Sequence, residues 1–267
     1  MPRQTAELLN QLQLADGVLV SVERVQGSGP REVGAWMAVF PHTLVNTIGG
    51  GHLEFQAIKE ARAWLADEHK ALTTRYPLGP ALGQCCGGVV DLKFERISDA
   101  QAPTLKHRLL GNGQPLALFG GGHVGHALVN VLSTLPYCVQ WVDSRDEIFP
   151  EQLAPNVVCE HSDPVHAAVD DLPSGASVLI MSFSHAEDLD VVAACLKRQR
   201  LHGDLKFVGL IGSKTKWATF QHRLEAKGFT AQELTLITCP IGLSGIKGKE
   251  PEVIAVSVAA QLLQLRA

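Results

Sequence analysis

The sequence predicts an α/β protein, with a Rossmann-like, doubly wound parallel sheet in its C-terminal half and a smaller mixed α+β domain before it. In the second half, short apolar runs alternate with segments of helical periodicity, which is typical of parallel strands joined by right-handed crossovers. The first of these runs, Leu116–Phe119, leads directly into a glycine-rich turn, as strands do at nucleotide-binding turns. We therefore expect an N-terminal domain over residues 1–97, a linker over 98–114 and the Rossmann-like domain over 115–267.

The composition is that of a globular protein that can bury a core. The chain has 267 residues, of which 46% are hydrophobic and 19% charged, and its formal net charge is −4. It has no basic run typical of nucleic-acid binding and no apolar run of the ~18 residues that span a bilayer. Six cysteines in a chain of this length do not indicate a disulfide scaffold. We expect a cytoplasmic protein with reduced thiols that binds neither nucleic acid nor membrane.

In the N-terminal domain, valine-rich alternation predicts strands and an apolar stripe predicts one main helix. The expected elements are a helix over 4–14, strands over 17–26, 35–40 and 44–48, a helix over 52–68 and a strand over 89–97. Residues 78–88 carry four glycines and two adjacent cysteines, which predicts a loop.

In the C-terminal domain, strands and helices are expected to alternate. The expected strands are 116–119, 139–142, 157–159, 177–181, 207–211 and 234–238, and the expected helices are 123–134, 188–199 and 214–227. Pro251 suits the start of a last helix, whose stripe of Val253, Val256, Ala260 and Leu263 could pack within the domain or across a dimer.

The glycine turn after residue 119 has the chemistry of a phosphate-binding site. Its pattern is G-x-G-x-x-G, with the three glycines at Gly120, Gly122 and Gly125. The first glycine permits a tight turn, the second lets backbone amides approach a phosphate, and the third lets the helix pack on the sheet. The helix N-terminus adds a partial positive charge.

Three further residues bear on which ligand this turn would bind. Asp143 closes the next strand, where an acid is expected to bond a ribose hydroxyl. His123 is bulky at a position that is small in many such turns. Arg145 lies beside the acid and favours a phosphorylated or negatively charged ligand.

Three other loops are expected at the same edge of the sheet, because each follows a predicted strand. They are Ser182–His185, Gly212–Lys216, which includes Ser213 and Lys214, and Thr238–Gly242, which includes Cys239. The second of them opens a helix, which suits anion binding.

The N-terminal domain has a comparable turn, Gly49-Gly50-Gly51-His52-Leu53-Glu54. Its backbone amides could hold a second anion, and Glu54 could either cap the helix or act as an acid or base. A second loop contains Gln84-Cys85-Cys86-Gly87-Gly88. Because neighbouring residues of an extended chain point to opposite faces, this cysteine pair favours a reactive thiol or a soft-metal ligand over a core role. Its spacing excludes the C-x-x-C of zinc deaminases.

Taken together, these segments resemble one family. The motifs that carry the resemblance are, in order, Gly29–Ala35, Ile48–Glu54, Leu82–Gly88, Phe119–Gly125, Ile211–Lys216 and Cys239–Gly242. They are similar to the XdhC/CoxI family, the xanthine dehydrogenase accessory proteins, over nearly the whole chain. One departure is Ser184 before His185, where the family pattern has a threonine.

The resemblance implies a molybdenum cofactor chaperone without its own turnover. Such a protein would hold the cofactor, a molybdopterin, while a cysteine desulfurase supplies sulfur, deliver it to apo xanthine dehydrogenase, and form a homodimer. The residues that the motifs and the resemblance assign to the cofactor are Gly49, Gly50, Gly51, His52, Glu54, Gln84, Cys85, Cys86, Gly120, Gly122, His123, Gly125, Asp143, Arg145, His185, Ser213, Lys214 and Cys239. Cys85 and Cys86 are the candidates for contact with molybdenum.

Two other functions stay open from the residues alone. The first is an NAD(P)-dependent oxidoreductase that uses the same glycine turn, with His123 or His185 as the proton donor. The second is a redox or metal sensor in which Cys85 and Cys86 form the switch.

Overall fold

The computed structural model describes residues 3–66, 72–78, 87–109 and 113–265. The chain divides into two compact units, the first over residues 4–111 and the second over 112–267 together with the first three residues. The first unit contains a five-stranded antiparallel sheet and the second a six-stranded parallel sheet. The predicted fold class is therefore confirmed.

The first unit is built around its antiparallel sheet, in the order β3-β2-β1-β5-β4. Its elements are α1 (Arg3–Leu12), β1 (Gly17–Gln26), β2 (Trp36–Val39), β3 (Leu44–Asn46), α2 (Gly51–Ala66), β4 (Leu72–Pro77), β5 (Val89–Ile97), a 3₁₀ turn (Asp99–Gln101) and α3 (Ala102–Leu109). Since side chains alternate along a strand, both faces of the sheet are buried. One face packs against α2 and the other against α1 and α3.

Two parts of the first unit differ from the sequence-based expectation. Sequence analysis missed β4, whose residues Leu-Thr-Thr-Arg-Tyr-Pro are largely exposed and show no apolar alternation. The strand is stabilised by its pairing with β5, which the local sequence pattern does not indicate. The segment over 98–114 was expected to be a linker with a short helix in it. The helix is present as α3, but its Leu105 is buried in the core of this unit.

The second unit has the sheet order β11-β10-β9-β6-β7-β8. Its elements are β6 (Gln114–Phe119), α4 (His123–Leu132), β7 (Tyr137–Asp143), a 3₁₀ turn (Asp146–Ile148), β8 (Val157–His161), a 3₁₀ turn (Val165–Val169), β9 (Ser177–Ile180), α5 (His185–His202), β10 (Phe207–Leu210), α6 (Lys214–Ala226), α7 (Ala231–Leu234), β11 (Ile237–Thr238) and α8 (Pro251–Gln264). After β8 the chain returns to the centre and places β9 beside β6. The direction of the winding changes there, and in such sheets the crevice at the carboxyl ends of these two strands is where ligands bind.

Two predictions for this unit are corrected. Residues 231–234 form α7, capped by Thr230 and Glu233, so the predicted last strand is wrong except for Ile237–Thr238. The buried stripe of α8 differs from the predicted one and packs on α4, while Val256 is 54% exposed. The buried residues are Ala255, Val258, Ala259 and Leu262.

None of the helices in the described part of the chain combines the length and hydropathy that a bilayer-spanning helix needs.

Candidate functional site

The first glycine of the Rossmann turn is fixed by close contact with the neighbouring strand end. Gly120 has a φ of +122°, and a Cβ there would lie 2.0 Å from the carbonyl oxygen of Met181. A Cβ on Gly125 would lie 2.2 Å from the carbonyl oxygen of Gly120, to which the indole Nε1 of Trp141 also donates a hydrogen bond at 3.0 Å. Both positions therefore require glycine for packing alone.

The middle of the turn, in contrast, is open. Gly122 is the N-cap of α4, and an added Cβ would meet nothing within 4 Å. As a glycine, Gly122 has no side chain with which to cap this helix, and the next residue, His123, is exposed. The first amides of a helix lack intrahelical partners and carry a partial positive charge. This end of α4 therefore has the properties of an anion site.

Asp143 faces the turn itself. Its carboxylate is 1% exposed and accepts hydrogen bonds from the Gly121 amide at 2.6 Å and from the Arg145 amide and Nε at 2.9 Å each. Burial raises the pKa of this carboxyl, but the hydrogen bonds and charge of Arg145 and the Gly121 amide together hold the pKa below its ordinary value. Asp143 is thus an ionised acid that is already bonded to the turn and to Arg145.

Arg145 also contacts an exposed aromatic ring that sequence reasoning missed. Its guanidinium carbon lies 4.4 Å from the ring centroid of Phe183, which is 66% exposed. Nearby, the Ser144 hydroxyl donates to Oε1 of Glu187 at 2.7 Å. Oε2 of Glu187 is buried and has no hydrogen-bond partner among the described residues. The sequence signal that could have identified Glu187 is an acidic residue in the first turn of a helix that follows a central strand.

A buried ion pair lies at the ends of β9 and β10. Nζ of Lys216 donates to Oδ2 of Asp188 at 2.6 Å and to the Ile211 carbonyl at 2.9 Å. Oδ1 of Asp188 accepts from the Ser182 amide at 2.7 Å. The two charged side chains are only 12% and 3% exposed. The hydroxyl of Ser182 is buried and unpartnered within the described part of the chain.

Cys239 follows β11 and lies near this pair. An added Cβ on Gly212 would be 2.8 Å from Cδ of Lys216 and 3.4 Å from Sγ of Cys239, so the glycine leaves room for both. Burial raises the pKa of the Cys239 thiol, the charge of Lys216 opposes this, and Asp188 adds to it. At neutral pH the thiol is therefore protonated.

The helix geometry decides which lysine of the Gly212–Lys216 loop points inward. Ser213 is the N-cap of α6, and its hydroxyl accepts from the Lys216 amide at 3.2 Å. Ser213 and Lys214 are both exposed, and the buried ion pair is made by Lys216. His185 is also exposed, with its ring centroid 6.4 Å from that of Phe220.

In the first unit, the glycine turn is closed by Glu54. Oε2 of Glu54 accepts from the amides of Ile48 at 3.0 Å and Gly50 at 3.2 Å, and from the Thr47 hydroxyl. Thr47 Oγ1 in turn accepts from the Gly49 amide at 3.0 Å. Glu54 therefore has a capping role at the start of α2, which is one of the two roles predicted for it. Its carboxylate accepts from amides that were expected to bind an anion.

The other predicted residues of this turn differ in burial. Gly49, Gly51 and His52 are exposed and Gly50 is partly buried, and Nε2 of His52 lies 3.1 Å from Nε2 of Gln56. Gly49 has a φ of +118°, and an added Cβ would lie 2.6 Å from Cβ of Pro30. The turn therefore packs against the loop that follows β1.

The same loop contacts the segment beside the cysteine pair. A Cβ on Gly88 would lie 2.2 Å from the carbonyl oxygen of Ser28, and the Leu78 amide donates to the Gly88 carbonyl at 2.7 Å. Gln84, Cys85 and Cys86 lie outside the described residues. Within the described ranges, no three His, Cys, Asp or Glu side chains are grouped as a metal site would require, and the predicted contact of the cysteine pair stays a prediction.

The fold and its open turn define a Rossmann-type protein with an antiparallel domain before the Rossmann domain. Residues 116–262 match the family model described as the XdhC Rossmann domain. Residues 13–77 match the model of the XdhC and CoxI family. The chain belongs to the XdhC and CoxI family, as its motifs predicted.

The similarity to known proteins covers most of the chain. Uncharacterized protein YqeB of Escherichia coli (strain K12) is 24% identical over 245 residues, which make up 90% of this chain and 42% of YqeB. The chain thus spans less than half the length of that relative. A crystal structure described as a xanthine dehydrogenase from Bacillus halodurans has a TM-score of 0.78 at 21% identity, covering 100% of this chain and 96% of that one. This likeness shows a shared fold.

Proposed function

We propose that this protein is an accessory protein of a xanthine dehydrogenase that binds the molybdenum cofactor, holds it for sulfuration and delivers it to the apo enzyme. Family membership supports the accessory role. The observation that carries the cofactor proposal is the carboxyl edge of the parallel sheet. There an uncapped helix N-terminus, a buried lysine and a half-buried thiol follow strands β6, β10 and β11.

The polar atoms at this edge fit such a ligand. The cofactor has a pterin ring, a phosphate and a metal end held by sulfur. The hydroxyl of Ser182 and Oε2 of Glu187 are buried without partners in the described part of the chain, although such atoms are normally hydrogen-bonded. Leaving a buried polar group unpaired costs about 1–3 kcal/mol. Both atoms can instead be satisfied by a polar ligand in the crevice.

The chain's residues would share the work as follows. The amides at Gly122 and His123 would hold the phosphate, because no protein carboxylate reaches them among the described residues. Nζ of Lys216, which already donates to Asp188 and Ile211, would offer its third N–H to the ligand at this edge. The Cys239 thiol, once deprotonated, would be a soft ligand suited to the metal end, and the metal contact expected of Cys85 and Cys86 stays a prediction. When bound, the cofactor supplies a molybdenum centre that this protein carries for its client.

The proposal includes three features that follow from family resemblance. We expect a homodimer, a cytoplasmic location and a cysteine desulfurase as the partner that supplies sulfur. The NAD(P)-dependent oxidoreductase is the alternative, favoured by the glycine pattern. Asp143 weighs against it, because both oxygens of the acid expected at the ribose already accept hydrogen bonds from Gly121 and Arg145.

The test is to purify the protein from a host that makes molybdenum cofactor and to assay it for molybdenum and pterin. We expect both to co-purify, and we expect Gly122→Val to reduce them, since its side chain enters open space and covers the helix N-terminus. A thermal melt shows that the variant is folded. Tightly bound NAD(H) with no pterin would reverse the proposal.

A further inference from the structure

One part of the crevice has the features of a site for a flat ring. Phe183 presents a largely exposed ring at the end of β9, and Arg145 lies against it at 4.4 Å. An exposed large aromatic ring beside a ligand-binding edge offers a stacking surface. Its position, in the loop between β9 and α5, is next to the open glycine turn in the sheet order.

The carboxylate of Glu187 lies on the helix that this loop begins. Ser184 caps α5 by accepting from the Glu187 amide at 3.2 Å, which fixes the backbone of Glu187. The side chain is held through Oε1 by the Ser144 hydroxyl at 2.7 Å, while Oε2 has no partner among the described residues. Arg145, whose charge acts on Glu187, bonds to Asp143 instead. Oε2 of Glu187 is therefore free to accept a hydrogen bond from an N–H or O–H donor of a ligand.

Because a carboxylate has two acceptor oxygens, it favours a ring whose edge has two adjacent N–H donors. A 2-amino-4-oxo ring, as in a pterin, presents a ring N–H beside an amino group, and a carboxylate can accept from both. Adenine presents an amino group beside a ring nitrogen that is an acceptor, so one carboxylate oxygen would face a lone pair. Hydrogen bonds to a charged acceptor are stronger than those between neutral groups.

We propose that Glu187 recognises the 2-amino-4-oxo edge of a pterin whose ring stacks on Phe183. This inference rests on the proposed function and deepens it, because it assigns the heterocyclic end of the cofactor to a specific part of the crevice. Because Oε2 of Glu187 is buried, the inference requires Arg145, which is 35% exposed and acts on Glu187 through its charge, to move aside when the ring binds.

The test compares two rings that differ only at the selected edge. Purified protein is titrated with pterin and with 2,4-dioxopteridine, in which a carbonyl replaces the amino group. We expect the wild type to bind pterin at least about tenfold more tightly than the dioxo ring. Glu187→Gln should bring the two affinities to within about threefold of each other, since an amide presents a donor to one side of the edge.

Two further variants separate stacking from edge recognition. Phe183→Ala should weaken both rings by a similar factor of about fivefold and leave their ratio unchanged. Asp190→Asn is the matched control, because Asp190 lies on the same helix but pairs with Lys227 at 3.0 Å, and it should change neither affinity. Thermal melts of each variant establish that it is folded.

The outcomes distinguish this inference from the function on which it rests. A wild type that binds neither ring, shows no preference for pterin, or keeps its preference in Glu187→Gln overturns the role of Glu187. Molybdenum and pterin co-purifying with Glu187→Gln at wild-type levels would also overturn that role and leave the proposed function intact. A wild type that prefers pterin in titration but never carries molybdenum would overturn the chaperone function alone.

Discussion

The two glycine turns of this protein begin with the same four residues, but the amides of the first are bonded to a carboxylate and the helix start of the second is open. Gly49-Gly50-Gly51-His52 and Gly120-Gly121-Gly122-His123 each join a strand to a helix. Two residues after the histidine the first sequence has Glu54 and the second has Gly125. The Glu54 carboxylate reaches back to the amides of its own turn, whereas Gly125 has no side chain with which to do so.

This difference shows that a run of glycines does not by itself define an anion site. Both turns need glycine for backbone geometry, since Gly49 and Gly120 have φ angles of +118° and +122°. What separates them is whether a carboxylate of the chain is within reach of the amides. In the second turn Asp143 reaches only the Gly121 amide, and the helix start is left open.

The largest expected effect is a difference in stability between two glycine substitutions in the second turn, one at a packed position and one at an open position. Gly120→Ala should lower the free energy of unfolding by about 3 kcal/mol or more, because its Cβ would overlap the Met181 carbonyl and its φ is unfavourable for alanine. Gly122→Ala should change it by less than about 0.5 kcal/mol, since its Cβ meets nothing. Urea unfolding of the two variants measures this contrast, and equal losses would show that the second turn is packed throughout.

Removal of Glu54 should open the first turn. Glu54→Ala leaves the amides of Ile48 and Gly50 without their acceptor, and we expect a loss of about 2 kcal/mol of unfolding free energy. Glu7→Ala, at an exposed site on α1, is the control and should have little effect. Wild-type stability in Glu54→Ala would mean that the turn does not depend on its carboxylate.

A smaller effect, and one that depends on pH, is expected at Asp143. Folding lowers the pKa of this carboxyl from 3.8, so the ionised form stabilises the fold above that pH, and the contribution is lost as the pH falls through the lowered value. Asp143→Asn should therefore be less stable than the wild type by about 1 kcal/mol at pH 7. Unfolding curves at pH 7 and near pH 3 should show this gap narrowing in acid, and a gap that widens would contradict the assignment.

The smallest expected effect is on the binding of a simple anion. Inorganic phosphate should stabilise the wild type by no more than about 1 kcal/mol at millimolar concentration, through the open end of α4. Gly122→Val should abolish this stabilisation, and Glu54→Ala should increase it by adding a second open turn. Melting temperatures across a phosphate series, at constant ionic strength, measure both. If Gly50→Val removed the stabilisation and Gly122→Val did not, the two turns would have been assigned the wrong way round.

The fold was largely predictable because its signals are local. Alternating apolar residues and glycine positions indicate most strands and helix starts, including β1, β5 and the β6–α4 turn. The predicted strand over 234–238 failed because the capping pair of Thr230 and Glu233 forms a short helix first.

The site was less predictable, because its polar residues are brought together by the sheet order. Lys216 and Asp188 are 28 positions apart, and their pairing depends on β9 and β10 being neighbours. Sequence reasoning identified the loop that contains Lys216 but assigned the site to Lys214, since helix rotation after the Ser213 cap is not visible as a pattern. Phe183 and Glu187 were also missed, because their contacts with Arg145 and Ser144 join the ends of β7 and β9, which are far apart in sequence. The capping role of Glu54 was one of two predicted, and only the contact with Ile48 and Gly50 distinguishes it.

The bond between Trp141 and the Gly120 carbonyl also gives the turn an optical reporter. The indole is fully buried and lies edge-on to His126 and Phe149, at centroid distances of 4.8 and 5.4 Å. Its hydrogen bond at 3.0 Å makes its emission sensitive to any displacement of the first glycine. A form of the protein that keeps Trp141 and replaces its other three tryptophans would report occupancy of the crevice by fluorescence, without a label.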